Sequence, residues 1–381
     1  MGGMPAIAFL LPFLALLLAF TTSTAHAADP PWARPLLARL AEIEARPGPR
    51  IGVYVRDLDT GEFAGFHAEE PWYLASTVKV PIAIAVLRAV ERGELTLDTP
   101  VTLRESDYVD GAGSTNRQPA GSRIPVRKLL EQMIIYSDNT ASDLLIGTVG
   151  IGAVNRTLRS LVPAGFGRIT LLGDVRRQIY GELNPAARKL AGRDWLQLHA
   201  QPSDAARLLL FSQLADVPPA SFHEVSLDAA YDRYYAGTDN TGRLDAYGEL
   251  LAALAEGRAL GPASTDYLLG LMQRIATGRH RVGAGLPPTV DFAHKTGTQR
   301  RRFCDSGIVS VPRDQGSPQR VLLVACARQD ASLARSERAL MQIGEAVCRS
   351  GLITKGVTDA PTCHSAVGPS RRSAASQRGS R

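Results

Sequence analysis

Ser76-Thr77-Val78-Lys79-Val80-Pro81-Ile82-Ala83-Ile84-Ala85-Val86-Leu87-Arg88-Ala89-Val90 joins a reactive-looking pair to a helix of unusual composition. From Pro81 to Val90 the segment is almost wholly apolar, as a helix buried on all sides would be. Pro81 falls within about its first turn, where proline is tolerated. Ser76 and Lys79 stand at i and i+3, which puts both side chains on one face with Cβ atoms about 5–6 Å apart. A hydroxyl is a weak nucleophile until a base takes its proton, and a lysine buried beside it has a lowered pKa and can serve. The helix start next to Ser76 offers a backbone N–H to a developing oxyanion. Ser-x-x-Lys is unspecific by itself, because Ser76 or Thr77 could simply cap the helix and Lys79 could lie on the surface.

The use of lysine sharpens the reading. The chain has 43 Lys and Arg, of which only Lys79, Lys128, Lys189, Lys295 and Lys355 are lysines. Where any positive charge would do, this protein writes arginine, which cannot lose its proton near neutral pH. Lys295 falls in Lys295-Thr296-Gly297-Thr298, on a strand signal, and Ser137-Asp138-Asn139 lies between two helical patterns. Ser137 is placed to relay a proton to a leaving nitrogen, Asn139 to donate an amide hydrogen bond to substrate, and Asp138 to brace the loop. The bland alternative is that Ser, Asp and Asn are ordinary cap residues before Thr140-Ala-Ser-Asp143, which reads as a capping box. Lys295 can polarise Ser137 and attract a carboxylate. Thr296 belongs to the same strand motif, Gly297 allows a substrate backbone to approach, and Thr298 can donate a hydroxyl.

Working outward, Leu36 to Ala45 has helical spacing, Ile51 to Val55 alternates like a strand, and Asp59-Thr-Gly61 turns into a second strand around Glu62 to His67. Helical patterns follow at Val126–Tyr136, Thr140–Ile146, Ser203–Leu214, Thr241–Ala255 and Ser264–Ile275. Strand signals at Val290–Thr298, Gly307–Val311 and Val321–Ala327 precede a last amphipathic helix, Ser332–Arg349. This order predicts an α+β fold. A five-stranded antiparallel sheet is covered by the terminal helices, an all-helical lobe forms the rest, and the active site lies between the lobes. The expected organisation is a catalytic unit over residues 32–351, with an α/β lobe of 32–74 plus 283–351 and a helical lobe of 75–282.

Residues 1–27 read as a signal peptide, with an apolar run from Ala6 to Phe20 and the small-x-small ending Ala25-His26-Ala27. The expected location is therefore periplasmic or secreted. The net charge of +6 does not indicate nucleic acid, because residues 352–381 hold five basic residues against one acid. That tail, rich in Ser, Ala, Arg and Gly, reads as disordered. Four cysteines in an exported chain imply disulfides, and there is no close CxxC pair to suggest zinc. Cys304 and Cys326 flank the turn Arg313-Asp-Gln-Gly-Ser-Pro318 at nearly equal distances, so they should face one another in a hairpin. That leaves Cys348 with Cys363. No metal or cofactor is expected, and the chain is expected to be a monomer.

Taken together, the three motifs resemble the penicillin-recognising serine enzymes, most closely the class A β-lactamases and related DD-peptidases. The resemblance runs from about Pro35 to Gly351. It implies that Ser76 is acylated, that Lys79 is its base partner, and that Ser137, Asn139, Lys295 and Thr298 complete the site. The implied substrate is a β-lactam or a peptidoglycan peptide, with Tyr108 as an aromatic facing it and Glu182-Leu183-Asn184 as the end of an omega-like loop. One departure matters: the glutamate that the family uses to activate water stands four residues before the loop asparagine, and here that residue is Tyr180. A phenol is a poor base at neutral pH, so deacylation should be slow unless Glu182 substitutes through a two-residue slip. The alternatives are a DD-peptidase or a non-hydrolytic penicillin-binding protein. A second departure is the extra stretch 185–239, with Trp195, Tyr231, Tyr234 and Tyr235, which reads as a packed helical excursion more readily than as a lid.

Overall fold

The computed structural model describes residues 30–354, together with Gly2, Gly3 and Cys363. The signal-peptide assignment and all of the tail beyond those residues lie outside the described residues. Five strands form one antiparallel sheet: β1 (Arg50–Asp57), β2 (Phe63–Phe66), β3 (Asp291–Gln299), β4 (Arg302–Val311) and β5 (Gln319–Arg328), in the order β2-β1-β5-β4-β3. Alternation along β1 sends Ile51, Val53 and Val55 to one face and Tyr54 to the other. The first face packs under Leu36 and Leu40 of helix α1 (Ala33–Glu44) and Leu340, Ile343 and Val347 of the last long helix, Leu333–Arg349. The second face meets the helical lobe.

At the centre of that lobe is α2 (Lys79–Glu91). Ten of its residues are buried, including Ile82, Ile84 and Val86 at zero exposure, as its all-round apolar composition requires. Around it lie α3 (Val126–Ile135), α4 (Asn139–Val149) and α5 (Ile151–Leu161). Ser76 itself sits in a short 3₁₀ turn, Ala75–Val78, that runs into α2. No hydroxyl caps α2. Thr77 Oγ1 donates back to the Leu74 carbonyl at 2.8 Å, so the capping alternative for this stretch is not what forms.

The segment expected as an omega-like loop is a helix, α6 (Leu172–Leu183). Its apolar residues Val175, Ile179 and Leu183 are four apart and face one core with Trp195, Leu198, Phe211 and Leu227 of the extra stretch. Its first turn is held by the Asp143 carboxylate, which accepts from the Leu172 and Gly173 N–H groups at 2.7 and 2.8 Å. The extra stretch folds into α7 (Arg193–His199), α8 (Asp204–Ala215) and α9 (Leu227–Tyr235) with their own apolar core, so it is a packed helical unit.

Cys304 and Cys326 are directly opposed on β4 and β5 and form a disulfide, as hairpin symmetry predicts. Cys348 pairs with Cys363. The first bridge closes a 22-residue separation, directly opposite Gly297 of β3. Replacing both Cys304 and Cys326 with serine should lower unfolding free energy by about 2–4 kcal/mol. Denaturant titration of the variant against the oxidised protein checks this, and equal midpoints would contradict it.

Candidate active site

The start of α2, the α3–α4 loop and β3 converge on one cleft of about 610 Å³. Lys79 lies at its floor with no exposed surface. Its Nζ donates to Ser76 Oγ at 3.1 Å, Ser137 Oγ at 3.2 Å, the Ser137 carbonyl at 2.6 Å and Asn139 Oδ1 at 2.7 Å. From the other side Lys295 Nζ reaches Ser137 Oγ at 3.0 Å and the Thr296 carbonyl at 2.9 Å. The Ser137 hydroxyl therefore bridges two buried amines. Ser137 adopts φ 62°, a left-handed conformation uncommon outside glycine, which signals a constrained turn.

Burial lowers the pKa of Lys79 from 10.5 to about 7, although Asp138 and Asp143 pull it upward. Lys295 is also pushed well below its ordinary range, first by burial and then by the charges of Lys79 and Arg281. Two ammonium groups on one hydroxyl repel, so the pair titrates as a unit with a neutral amine favoured in it. Asp138 braces the loop: it accepts from Ala141 N at 2.9 Å as the N-cap of α4 and from Thr115 N at 2.8 Å.

Gly297 sets the distance between β3 and the nucleophile turn. A Cβ there would lie 2.5 Å from the Leu74 carbonyl oxygen and 3.3 Å from Ser76 N. The Gly297→Ala change should therefore push the strand from the turn, lowering stability by ~1–3 kcal/mol. Misplacing the site by about 1 Å should slow Ser76 acylation by roughly 100-fold. Thermal melts and penicillin-labelling rates check both parts, and a normal labelling rate would contradict the second.

Residues that gave no local sequence signal complete the cleft. Arg281 is buried and donates to the Gly297 carbonyl at 2.9 Å, the Cys304 carbonyl at 3.1 Å and Thr298 Oγ1 at 2.7 Å. Thr277 shares a 2.5 Å hydroxyl contact with Thr296. Asp110 holds Arg176 of α6 through two bonds of 2.6 and 2.9 Å. The three arginines at the β3–β4 turn, Arg300, Arg301 and Arg302, are all half-buried. Arg300 pairs with Asp204 and Asp228, Arg301 with Asp232, and Arg302 stacks on Tyr235. The extra stretch thus packs inward yet also forms a wall of the cleft.

Residues 35–350 match the β-lactamase enzyme family, which is most of the chain. The chain belongs to that family. Its β-lactamase-family relatives include β-lactamase L2 of Stenotrophomonas maltophilia, 41% identical over 113 residues, and a β-lactamase of Streptomyces albus G, 34% identical over 129 residues. Those alignments cover 29% and 32% of this chain and only 37% and 41% of the relatives. Among solved structures, a β-lactamase from Xanthomonas campestris pv. campestris is 25% identical with a TM-score of 0.62, covering 83% of this chain and 97% of that one. PBP-A, 22% identical with a TM-score of 0.62, covers 83% and 95% and shares the fold.

Within this family frame, Ser76, Lys79, Ser137, Asn139, Lys295, Thr296, Gly297 and Thr298 come together, and three expected residues do not join them. Tyr108 is wholly buried: its hydroxyl donates to the Gln118 carbonyl at 2.8 Å and Arg193 covers its ring, so it does not face the cleft. Asn184 caps the turn at Pro185–Lys189 and donates to Ser221. Glu182 lies on α6 outside the cleft lining, so the two-residue slip does not occur. Tyr180 packs between Trp195 and Phe211, and burial raises its pKa further from neutrality. Asn139 lines the cleft; one of its two Nδ2 hydrogens goes to the Asp110 carbonyl at 2.6 Å, which fixes the amide's orientation. His294 stacks on Phe292 and contacts Asp305 at 2.6 Å, in keeping with strand packing.

Proposed function

We propose that the protein is an exported serine hydrolase that opens the β-lactam amide through an acyl-enzyme on Ser76. The observation that carries this reading is Lys79: a wholly buried amine, brought to about 7, bonded at 3.1 Å to the Ser76 hydroxyl. Neutral Lys79 takes the hydroxyl proton as Oγ attacks the carbonyl carbon. The oxyanion then faces the backbone N–H groups of Ser76 and Thr298, the latter next to Gly297, whose close approach to the turn brings β3 against Ser76 N. The ring C–N bond breaks, and the proton passes through Ser137 to the leaving nitrogen. An incoming substrate carboxylate keeps the shared proton on Lys295, beside Thr298 and the Arg281 that bonds it.

The cleft gives deacylation less support than acylation. Its two carboxylates, Asp110 and Asp228, are both paired with arginines, so the acyl-enzyme should accumulate. The same observation favours a second reading, a DD-peptidase acting on D-Ala-D-Ala peptides, in which penicillin is a trap. A PBP-A variant of the same fold has been solved as an acyl-enzyme complex with penicillin G. Hydrolysis of a chromogenic cephalosporin, with Ser76→Ala as control, tests the first reading. Release of D-Ala from a diacyl-D-Ala-D-Ala peptide without cephalosporin turnover would replace it with the second.

A further inference from the structure

Acylation leaves one part of the cleft unused. The Asp110 carbonyl receives Asn139 Nδ2, which ties Asp110 to the residue that also bonds Lys79. Its carboxylate, gripped by Arg176, lies 3.2 Å from Nδ1 of His199 at the end of α7. Burial alone would raise Asp110, but the Arg176 guanidinium and the His199 contact outweigh it and hold the carboxyl at about 2. Asp110 therefore stays an anion beside Nδ1 and favours the tautomer protonated there, which leaves the Nε2 lone pair free. No described residue bonds Nε2, and 61% of the His199 side chain is exposed, along the same cleft that holds Ser76.

We propose that His199, oriented by Asp110, is the general base that activates water to hydrolyse the Ser76 acyl ester. This rests on the acyl-enzyme reading above. Nε2 takes one proton from water as the water oxygen bonds to the ester carbonyl carbon. The bond from that carbon to Ser76 Oγ then breaks, and Oγ recovers a proton from the Lys79–Ser137 relay. The product leaves as the acid carrying the second water proton, and the first, held by His199, returns through solvent to the Lys79–Ser137 relay that reprotonated Oγ. Asp110 itself is a poor base at a pKa near 2. Tyr180 and Glu182 lie outside the cleft lining. Lys79 is the rival base, and His199 can be removed without touching it.

The test follows the Ser76 penicilloyl adduct in the full-length protein by rapid-quench intact-mass spectrometry after excess penicillin G is removed, for wild type and His199→Gln. Glutamine removes the base while leaving a polar side chain beside Asp110. We expect one adduct per molecule at Ser76 in both, with loss of the adduct about 100-fold slower in the variant. Adduct lifetimes within twofold of each other would overturn the proposal, as would a wild-type adduct that persists for hours; both leave the acyl-enzyme standing. Absence of an adduct in either protein would overturn the acyl-enzyme reading and this inference with it.

Discussion

Ser76→Ala should abolish covalent labelling by penicillin and lower cephalosporin turnover by about 10⁴-fold or more, because Ser76 supplies the nucleophile of the covalent step. The fold should be unaffected. Among the described residues the Ser76 hydroxyl has one hydrogen-bond partner, Lys79 Nζ, and that amine keeps three other bonds at Ser137 and Asn139. The informative outcome is loss of labelling with an unchanged melting temperature. Ser137 is the nearest competing hydroxyl, 3.2 Å from the same amine. Residual labelling of the variant at Ser137 would show that the amine, rather than the 3₁₀ turn carrying Ser76, selects the nucleophile.

Lys79→Arg should slow acylation by roughly 10²–10⁴-fold while keeping a positive charge at the site. A guanidinium stays protonated at any pH the protein survives. In the wild type, acylation should rise with pH through about 7, as the amine loses its proton, and level off above it. In the variant that limb should vanish. Stability carries the opposite signature of the same burial. The folded-state pKa of Lys79 lies below the unfolded value, so between about 7 and 10.5 the unfolded chain holds more protons and stability rises with pH. Below about 7 the full penalty remains, on the order of a few kcal/mol. Lys79→Met should therefore melt higher than wild type at pH 6, less the effect of leaving the Ser137 carbonyl and Asn139 Oδ1 without their donor. The difference should shrink by pH 10. Melts at the two pH values check the sign.

Much of the site was legible because its signals are local. Ser76 and Lys79 lie three residues apart at the mouth of an apolar run, Ser137 to Asn139 are contiguous, and Lys295 to Thr298 occupy one strand. The sheet was legible for the same reason: β3, β4 and β5 follow in sequence, and the Cys304–Cys326 symmetry fixes their register. The helix α6 was missed because its apolar residues are separated by Arg176, Arg177 and Gln178 and face a core that the extra stretch supplies later in the chain. Asp110 and Arg176 are 66 residues apart, and His199 comes from a third element, so their pairing leaves no local trace. Tyr108, which the family resemblance places against substrate, is instead covered by Arg193, 85 residues away in the chain.

A buried neutral amine makes one serine hydroxyl reactive, and peptide mapping after brief exposure to penicillin G reads that out. A single penicilloyl group is expected on the peptide containing Ser76, formed faster as pH rises through about 7. A protein that stays unlabelled at every concentration and time, or that carries the group on any other side chain, would contradict it.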